Sequence, residues 1–138
     1  MKTALITGAS RGIGAAIAES FAGSGYHVII NYNKSRTAAE ALCARLSSAG
    51  RSAECIRADV SKPDEVAKLL ALLPDGSPDT VVNNAGVAHY GLLQDMTDGE
   101  YSMVMDTNVR GVFNVCRAVL PRMISKKSGR IINISSVW

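Results

Sequence analysis

A glycine-rich turn near the start of the chain has the composition of a phosphate-binding loop. Residues 8–14 read Gly-Ala-Ser-Arg-Gly-Ile-Gly, after an apolar segment and before a segment with helical spacing. Glycine lets a pyrophosphate approach the backbone, because no Cβ stands in its way. The following helix would offer free N–H groups and the positive end of its dipole. The spacing therefore predicts a dinucleotide site, with an ordinary turn between strand and helix as the alternative.

Polar residues follow three further apolar segments, at points where strands are predicted to end. They are Asp59 before Val60, the Asn pair that opens residues 83–86, and the Ser pair at residues 135–136. Open α/β sheets bind ligands at the carboxyl ends of their strands, so these residues are candidate site residues. Each has a simpler alternative: Asp59 as a cap of the helix near Ser61, and the two pairs as turn residues. Asn108, which precedes a long apolar helical segment, is a candidate site residue or only an N-cap.

Strand and helix patterns alternate along the whole chain. Strands are predicted at residues 2–7, 27–31, 52–58, 80–83 and 130–134. Successive right-handed β-α-β units arrange them as a doubly wound, Rossmann-type parallel α/β sheet of order 3-2-1-4-5. We expect one domain over residues 1–138, a dinucleotide-binding fold that stops short of its later strands.

The helix signals are more specific in some segments than in others. Thr37 with Glu40, and Thr97 with Glu100, have the spacing of capping boxes, and Pro63 fits a first helical turn. A long helix is predicted from about residue 108 to 127, with Gly129 as its stop. Its principal apolar stripe consists of Val109, Phe113, Cys116, Leu120 and Ile124. Val112, Val115 and Val119 widen this stripe, so we expect the helix to bury more than one face.

Composition narrows the function classes. The 138 residues suit one domain, and 47% hydrophobic with 5% aromatic residues fits a parallel sheet covered by helices. A net charge of +3, without a basic stripe, does not favour nucleic acid as a partner. Three scattered cysteines and two distant histidines favour reduced thiols and no metal site. No apolar run is long enough for a membrane span, and nothing suggests a signal peptide, so a cytoplasmic protein is expected.

Taken in order, the motifs resemble the short-chain dehydrogenase/reductase family over the whole chain. Within it, the wording TGASRGIG, NNAG, Thr-Asn before the long helix and GRIINISS is most similar to bacterial 3-oxoacyl-carrier-protein reductases. The resemblance implies a pyrophosphate turn, an adenine site after the third strand and a cleft wall after the fourth. The cofactor-binding residues that we assign are Gly8, Ser10, Arg11, Gly12, Ile13, Gly14, Asn31, Asp59, Val60, Asn83, Ala85 and Gly86.

The resemblance also implies catalytic residues and partners. Asn108 would help position a water in a proton relay, and Ser136 would hydrogen-bond the carbonyl oxygen of a small-molecule substrate. An acyl carrier protein is a possible partner, and the full-length protein is expected to be a homo-oligomer. The pair at Lys126 and Lys127 is either a docking patch for that carrier or simply a solvated helix end.

The segment after the second strand predicts the cofactor. Residues 31–36 read Asn-Tyr-Asn-Lys-Ser-Arg, with two cations and no carboxylate to accept hydrogen bonds from ribose hydroxyls. Arg11 adds a third cation at the glycine turn. A 2′-phosphate is drawn to such groups, so we predict NADP rather than NAD, contacted by Arg11 and either Lys34 or Arg36.

One expected element is absent from the sequence. The family's catalytic Tyr-x-x-x-Lys, which supplies the proton, occurs nowhere in residues 1–138. We therefore interpret the chain as the N-terminal part of an NADPH-dependent carbonyl reductase that is inactive alone. The alternative is a nucleotide-binding or regulatory module without catalysis. A methyltransferase is disfavoured by the missing acidic residue after strand two, and a P-loop nucleotidase by the missing Gly-Lys-Ser/Thr.

Overall fold

A single parallel sheet organises the chain, of which a computed structural model describes residues 1–137. Its strand order is β3-β2-β1-β4-β5, which confirms the predicted doubly wound arrangement. In the central register, Leu5 lies beside Ile29 on one side and Val81 on the other. The strands are β1 Thr3–Ile6, β2 His27–Tyr32, β3 Ala53–Arg57, β4 Thr80–Asn83 and β5 Arg130–Asn133.

Within residues 1–137, five α-helices connect or follow these strands. They are α1 Gly12–Gly23, α2 Arg36–Ser48, α3 Pro63–Ala71, α4 Asp98–Met105 and α5 Gly111–Lys126. Short 3-10 turns lie at Pro74–Gly76 and Leu93–Asp95, and a π-helical turn at Asp106–Arg110 joins α4 to α5. No helix in the part of the chain that the structure describes is both long and apolar enough to cross a membrane.

The sheet is covered on both faces. Ala4, Ile6, Val28 and Ile30 pack against α1 and α2 on one face. Leu5, Ile29 and Val81 pack against α3 and α5 on the other. Neighbouring residues of β1 and β2 pack on opposite faces of the sheet, and residues 4–6 and 28–30 are all apolar. These segments therefore appear in the sequence as continuous hydrophobic runs.

The prediction for the buried face of α5 is confirmed for Val115 and Val119 and wrong for the principal stripe. Val115, Val119 and Met123 are buried, while the predicted stripe is mostly solvent-exposed, with Phe113 at 56% and Ile124 at 70%. The physical reason is Gly111, where a Cβ would lie 2.7 Å from Val60 Cγ2, so that the missing side chain lets this side of α5 pack closely on Val60. Polar Asn114 is buried there too, since its Nδ2 donates to the Val60 carbonyl at 2.9 Å.

Two helix-end predictions also need correction, and one is confirmed. Thr37 is not an N-cap: α2 begins at Arg36, whose Nε donates to Glu40 at 2.6 Å instead. The left-handed residue that ends α5 is Lys127, and Gly129 is required for its close approach to Met123. The capping box of Thr97 and Glu100 is present, with each side chain bonded to the other's backbone N–H.

Candidate nucleotide-binding site

A cleft of about 560 Å³ opens at the carboxyl ends of β1 to β4. It brings together eight of the predicted cofactor residues: Gly8, Ser10, Arg11, Asn31, Asp59, Val60, Ala85 and Gly86. The residues that line it do not include Gly12, Ile13, Gly14, Asn83, Asn108 or Ser136. The adenosine-side predictions therefore converge on one space, and the two predicted catalytic residues lie outside it.

The three glycines of the turn meet different requirements. Gly8 has φ +61° and would carry a Cβ only 2.7 Å from Ala85 Cα. Gly12 has φ +59° and open space beside it. The φ of Gly14 is not in the left-handed region, but a Cβ there would lie 2.4 Å from Asn84 Nδ2 and 2.7 Å from the Gly8 carbonyl oxygen. Gly8 and Gly14 thus permit backbone contact within the protein, and Gly12 leaves the start of α1 uncovered.

Among residues 1–137, no side chain caps the N-terminus of α1. Its N-cap residue, Arg11, makes no side-chain capping bond, and the first turn carries no acidic residue. The first N–H groups of a helix lack intrahelical acceptors and concentrate positive potential. This end of α1 is therefore suited to an anion.

Thr7 and Asn84 join the turn after β1 to the segment after β4. Thr7 Oγ1 accepts from the N–H groups of Asn84 and Ala85, each at 3.0 Å. Asn84 Nδ2 donates to the carbonyls of Thr7 and Gly8, at 3.0 and 3.1 Å. Sequence reasoning missed both roles, although both residues stand inside the motifs that it singled out.

Asn31 supports the floor of the cleft from β2. Its side chain is buried, accepts from the Gly8 N–H at 3.3 Å and donates to the Ala58 carbonyl at 3.1 Å. Its amide is therefore committed to holding the glycine turn beside the end of β3.

Asp59 lies in a turn rather than at a helix cap. Its Oδ1 accepts from the N–H and the hydroxyl of Ser61, at 3.0 and 2.7 Å, whereas the N-cap of α3 is Lys62. The Asp59 N–H donates to Glu65 Oε2 at 2.8 Å. That hydrogen bond and the guanidinium of Arg57 hold the pKa of Glu65 below its usual value. Glu65 was not singled out by its sequence, since a glutamate in a first helical turn is commonplace.

Asn83 and Asn108 each hold backbone segments together. Asn83 Nδ2 donates to Asn133 Oδ1 at 2.8 Å, which ties the end of β4 to the end of β5. Asn108 lies in the π-helical turn, not at an N-cap, and both its polar atoms bond to Val87, each at 2.8 Å. Turns of this kind often occur at functional sites.

Ser136 lies in the extended segment after β5, at the same edge of the sheet, and is solvent-exposed. Lys126 and Lys127 lie at the other edge, at the end of α5, about 24 Å along the helix from Gly111 at 1.5 Å per residue. Lys126 Nζ is 3.7 Å from Asp75 Oδ2. This position favours the solvated helix end over a docking patch beside the cleft.

The charged residues that line the cleft are two cations and two carboxylates. Within residues 1–137, Arg11 and Lys34 make no ion pair, and both line the cleft. Arg36 is different, because its bond to Glu40 occupies it and raises its pKa. Asp59 and Asp106 also line the cleft, and Asp106 is paired with Arg110 at 3.1 Å.

A doubly wound sheet with a glycine turn and an uncapped helix at its switch point defines a dinucleotide-binding class of protein. The sequence profile described as short chain dehydrogenase matches residues 2–138. The chain belongs to the short-chain dehydrogenase family.

Named relatives and solved structures agree with that assignment. The chain is 44% identical over 138 residues to the 3-oxoacyl-[acyl-carrier-protein] reductase FabG of Staphylococcus epidermidis, covering 99% of this chain and 57% of that protein. It is 44% identical to the 3-oxoacyl-[acyl-carrier-protein] reductase of Synechocystis, covering 56% of it. A metagenomic short-chain oxidoreductase crystallised with NADP superposes with a TM-score of 0.93 at 36% identity, over 99% of this chain and 63% of that one. The chain thus spans little more than half the length of these relatives.

Proposed function

We propose that this chain forms the nucleotide-binding part of an NADPH-dependent reductase that converts a carbonyl to a hydroxyl. The observation that carries the proposal is the N-terminus of α1, which begins inside the glycine turn and has no side-chain cap. Beside it, Arg11 and Lys34 line the cleft and make no ion pair within residues 1–137. Membership of the family supports the oxidoreductase class. The NADP in the solved neighbour supports the choice of cofactor.

The residues present fit a dinucleotide. The space beside Gly12 is one that a side chain would occupy, and the N–H groups at the start of α1 are suited to the pyrophosphate. The Asp59 carboxylate, oriented by Ser61, would hold the adenine together with the backbone of Val60. Arg11 and Lys34 would bind the 2′-phosphate, since Arg36 is already paired with Glu40.

NADPH, when bound, supplies the hydride that reduces the carbonyl. Ser136 would orient the carbonyl oxygen by a hydrogen bond. Asn108 Oδ1 and Nδ2 are each bonded to Val87, which fixes the residue beside the cleft, and Asn108 would help to position a water of the proton relay. Residues 1–138 contain no Tyr-x-x-x-Lys to protonate the product. We therefore propose that they bind nucleotide without turnover.

The names of the relatives support a substrate class. Both named reductases act on 3-oxoacyl groups carried by an acyl carrier protein. We propose that the whole protein to which these residues correspond reduces such a thioester as part of fatty acid synthesis. It would do so in the cytoplasm as a homo-oligomer, and the exposed apolar side of α5 supports association between copies.

The test is a titration of the 138-residue chain with NADP⁺ and NAD⁺, monitored by calorimetry, with Arg11→Ala and Arg51→Ala variants. Arg51 is an exposed arginine between α2 and β3, at the opposite edge of the sheet, and serves as the matched control. We expect NADP⁺ to bind more tightly, and R11A to lose about tenfold for NADP⁺ alone, the effect of one charge-assisted hydrogen bond.

Equal or tighter binding of NAD⁺ would contradict the cofactor proposal, as would an R11A variant with unchanged NADP⁺ affinity. The same samples are assayed for NADPH oxidation with a 3-oxoacyl thioester, and no turnover is expected. Measurable turnover would show that a residue within this chain replaces the missing acid.

A further inference from the structure

Arg57, a residue that no motif singled out, donates hydrogen bonds to residues near the ends of β2 and β3, beside the cleft. Arg57 Nη2 donates to Asn33 Oδ1 at 2.8 Å, and its Nε donates to the Asn33 carbonyl at 3.4 Å. Its remaining fork atom, Nη1, donates to Glu65 Oε2 at 2.6 Å. These three residues, Asn33, Arg57 and Glu65, are called the Arg57 network below.

The Arg57 network connects the two segments that flank the adenosine end of the cleft. Asn33 immediately precedes Lys34, and both line the cleft after β2. Glu65 Oε2 also accepts from the N–H of Asp59, which lines the cleft after β3. Movement of one segment therefore strains the hydrogen bonds of the other.

Charge within the Arg57 network is balanced internally. The Arg57 cation faces the Glu65 carboxylate, and Lys62 Nζ lies 3.5 Å from the second oxygen of that carboxylate. The network itself thus presents no net negative charge to an incoming phosphate. Lys34, one residue beyond Asn33, remains the cation of this segment that faces the cleft without an ion pair among residues 1–137.

We propose that Arg57 is a positioning residue for cofactor discrimination: by gripping Asn33 at two atoms it places Lys34 against the 2′-phosphate of the nucleotide. The inference rests on the proposed function and adds to it a residue that does not touch the ligand. An arginine is required because only a planar fork donates to Asn33 and Glu65 together in fixed directions. A lysine has a single ammonium group and cannot hold all three acceptors in the same geometry.

The experiment compares two probes that differ only in one phosphate, adenosine 2′,5′-bisphosphate and 5′-AMP. Dissociation constants are measured for the unsubstituted chain, Arg57→Met, Arg57→Lys and Lys34→Met. The matched control is Arg45→Met, which removes another exposed arginine paired with a glutamate, Glu19, far from the cleft. Circular dichroism checks that each variant is folded.

We expect R57M to weaken the bisphosphate by roughly tenfold, about one charge-assisted hydrogen bond, with 5′-AMP changed much less. R57K should be intermediate, and R45M should leave the ratio of the two affinities unchanged. The double variant K34M/R57M should discriminate no worse than K34M alone, because Arg57 acts through Lys34. A merely structural role would weaken both probes equally.

Two failures are distinguishable. If the unsubstituted chain binds neither probe, the proposed function fails and the inference falls with it. If that chain prefers the bisphosphate and both folded Arg57 variants keep the same preference, the inference alone is overturned. Additive losses in the double variant would likewise overturn it, since Arg57 would then act independently of Lys34.

Discussion

The first half of the sheet, around β1 and β2, and the second half, around β5, differ in how much of their apolar surface is buried. In the first half, β1 and β2 are buried almost throughout, and α1 and α2 cover them. In the second half, β5 is largely exposed, and Tyr101 of α4 and Phe113 of α5 are each 56% exposed. A groove between α4 and α5 is lined by both of those aromatic residues.

Apolar residues can stabilise the fold or favour association between copies, and the hydrophobic sequence pattern alone does not distinguish these two roles. Apolar residues of the first half stabilise the fold, since they are removed from water within the described chain. Those on the outer side of α5, such as Phe113 and Ile124, remain largely exposed to water and favour association. Substitutions in the two halves should therefore change different measured quantities.

The largest effect is expected at the glycine turn of the first half. A Gly14→Ala side chain would meet Gly8 and Asn84 at distances that require backbone movement. We expect a loss on the order of 3 kcal/mol in the free energy of unfolding, typical of overpacking, together with loss of nucleotide binding. Urea denaturation and the NADP⁺ titration measure the two quantities.

Gly23→Ala is the control, because this glycine ends the same helix with nothing within 4 Å of its added Cβ. It should be neutral or stabilising by up to about 1 kcal/mol. Equal destabilisation by both changes would show that the close approach of Gly14 is not what the fold requires.

A smaller effect is expected in the second half, where the two sides of α5 should respond differently. Val119→Ala opens a cavity in the core and should cost about 2 kcal/mol of unfolding free energy. Phe113→Glu should change that free energy by less than about 0.5 kcal/mol, as a surface change, while reducing self-association. Sedimentation at several concentrations measures the association. Persistent association of F113E at every concentration would exclude this side of α5 as the interface.

The smallest effect is expected on the stability of the protein at low pH. Hydrogen bonds from Asp59 and Thr97, respectively, lower the folded pKa values of Glu65 and Glu100 below the usual 4.5. Each ionised carboxylate therefore contributes stability above pH 4.5, and the contribution is lost as the pH falls through the lowered value. Glu65→Gln should flatten the stability profile below pH 4.5 and weaken nucleotide binding. Glu100→Gln should flatten it without altering binding. An E65Q profile identical to that of the unsubstituted chain would refute this assignment.

Much of the first half could be predicted from sequence because its signals are local. The glycine turn, the strand order and Pro63 at the start of α3 follow from backbone rules that act over a few residues. The buried side of α5 could not be predicted, since the helix is apolar on several sides and the choice depends on Gly111 meeting Val60.

Three of the residues missed in the site, Thr7, Asn84 and Arg57, have partners that are distant in sequence. Thr7 bonds to residues 77 and 78 positions away, and Arg57 reaches Asn33 across 24 positions. The Thr37 capping box was wrong for a different reason, because α2 begins one residue earlier, at Arg36, which pairs with Glu40 instead. Local spacing indicates which residues are polar and well placed, but it does not indicate which of several possible partners each residue bonds to.

The pairing of Thr7 with Asn84 has a consequence for the kinetics and heat of ligand binding. Their four hydrogen bonds make the floor of the cleft one rigid piece, formed before any ligand arrives. When a ligand binds to this preformed part of the cleft, the protein loses little conformational entropy, so more of the contact energy appears as affinity. Association should accordingly be a single fast phase, without a slow step of loop ordering.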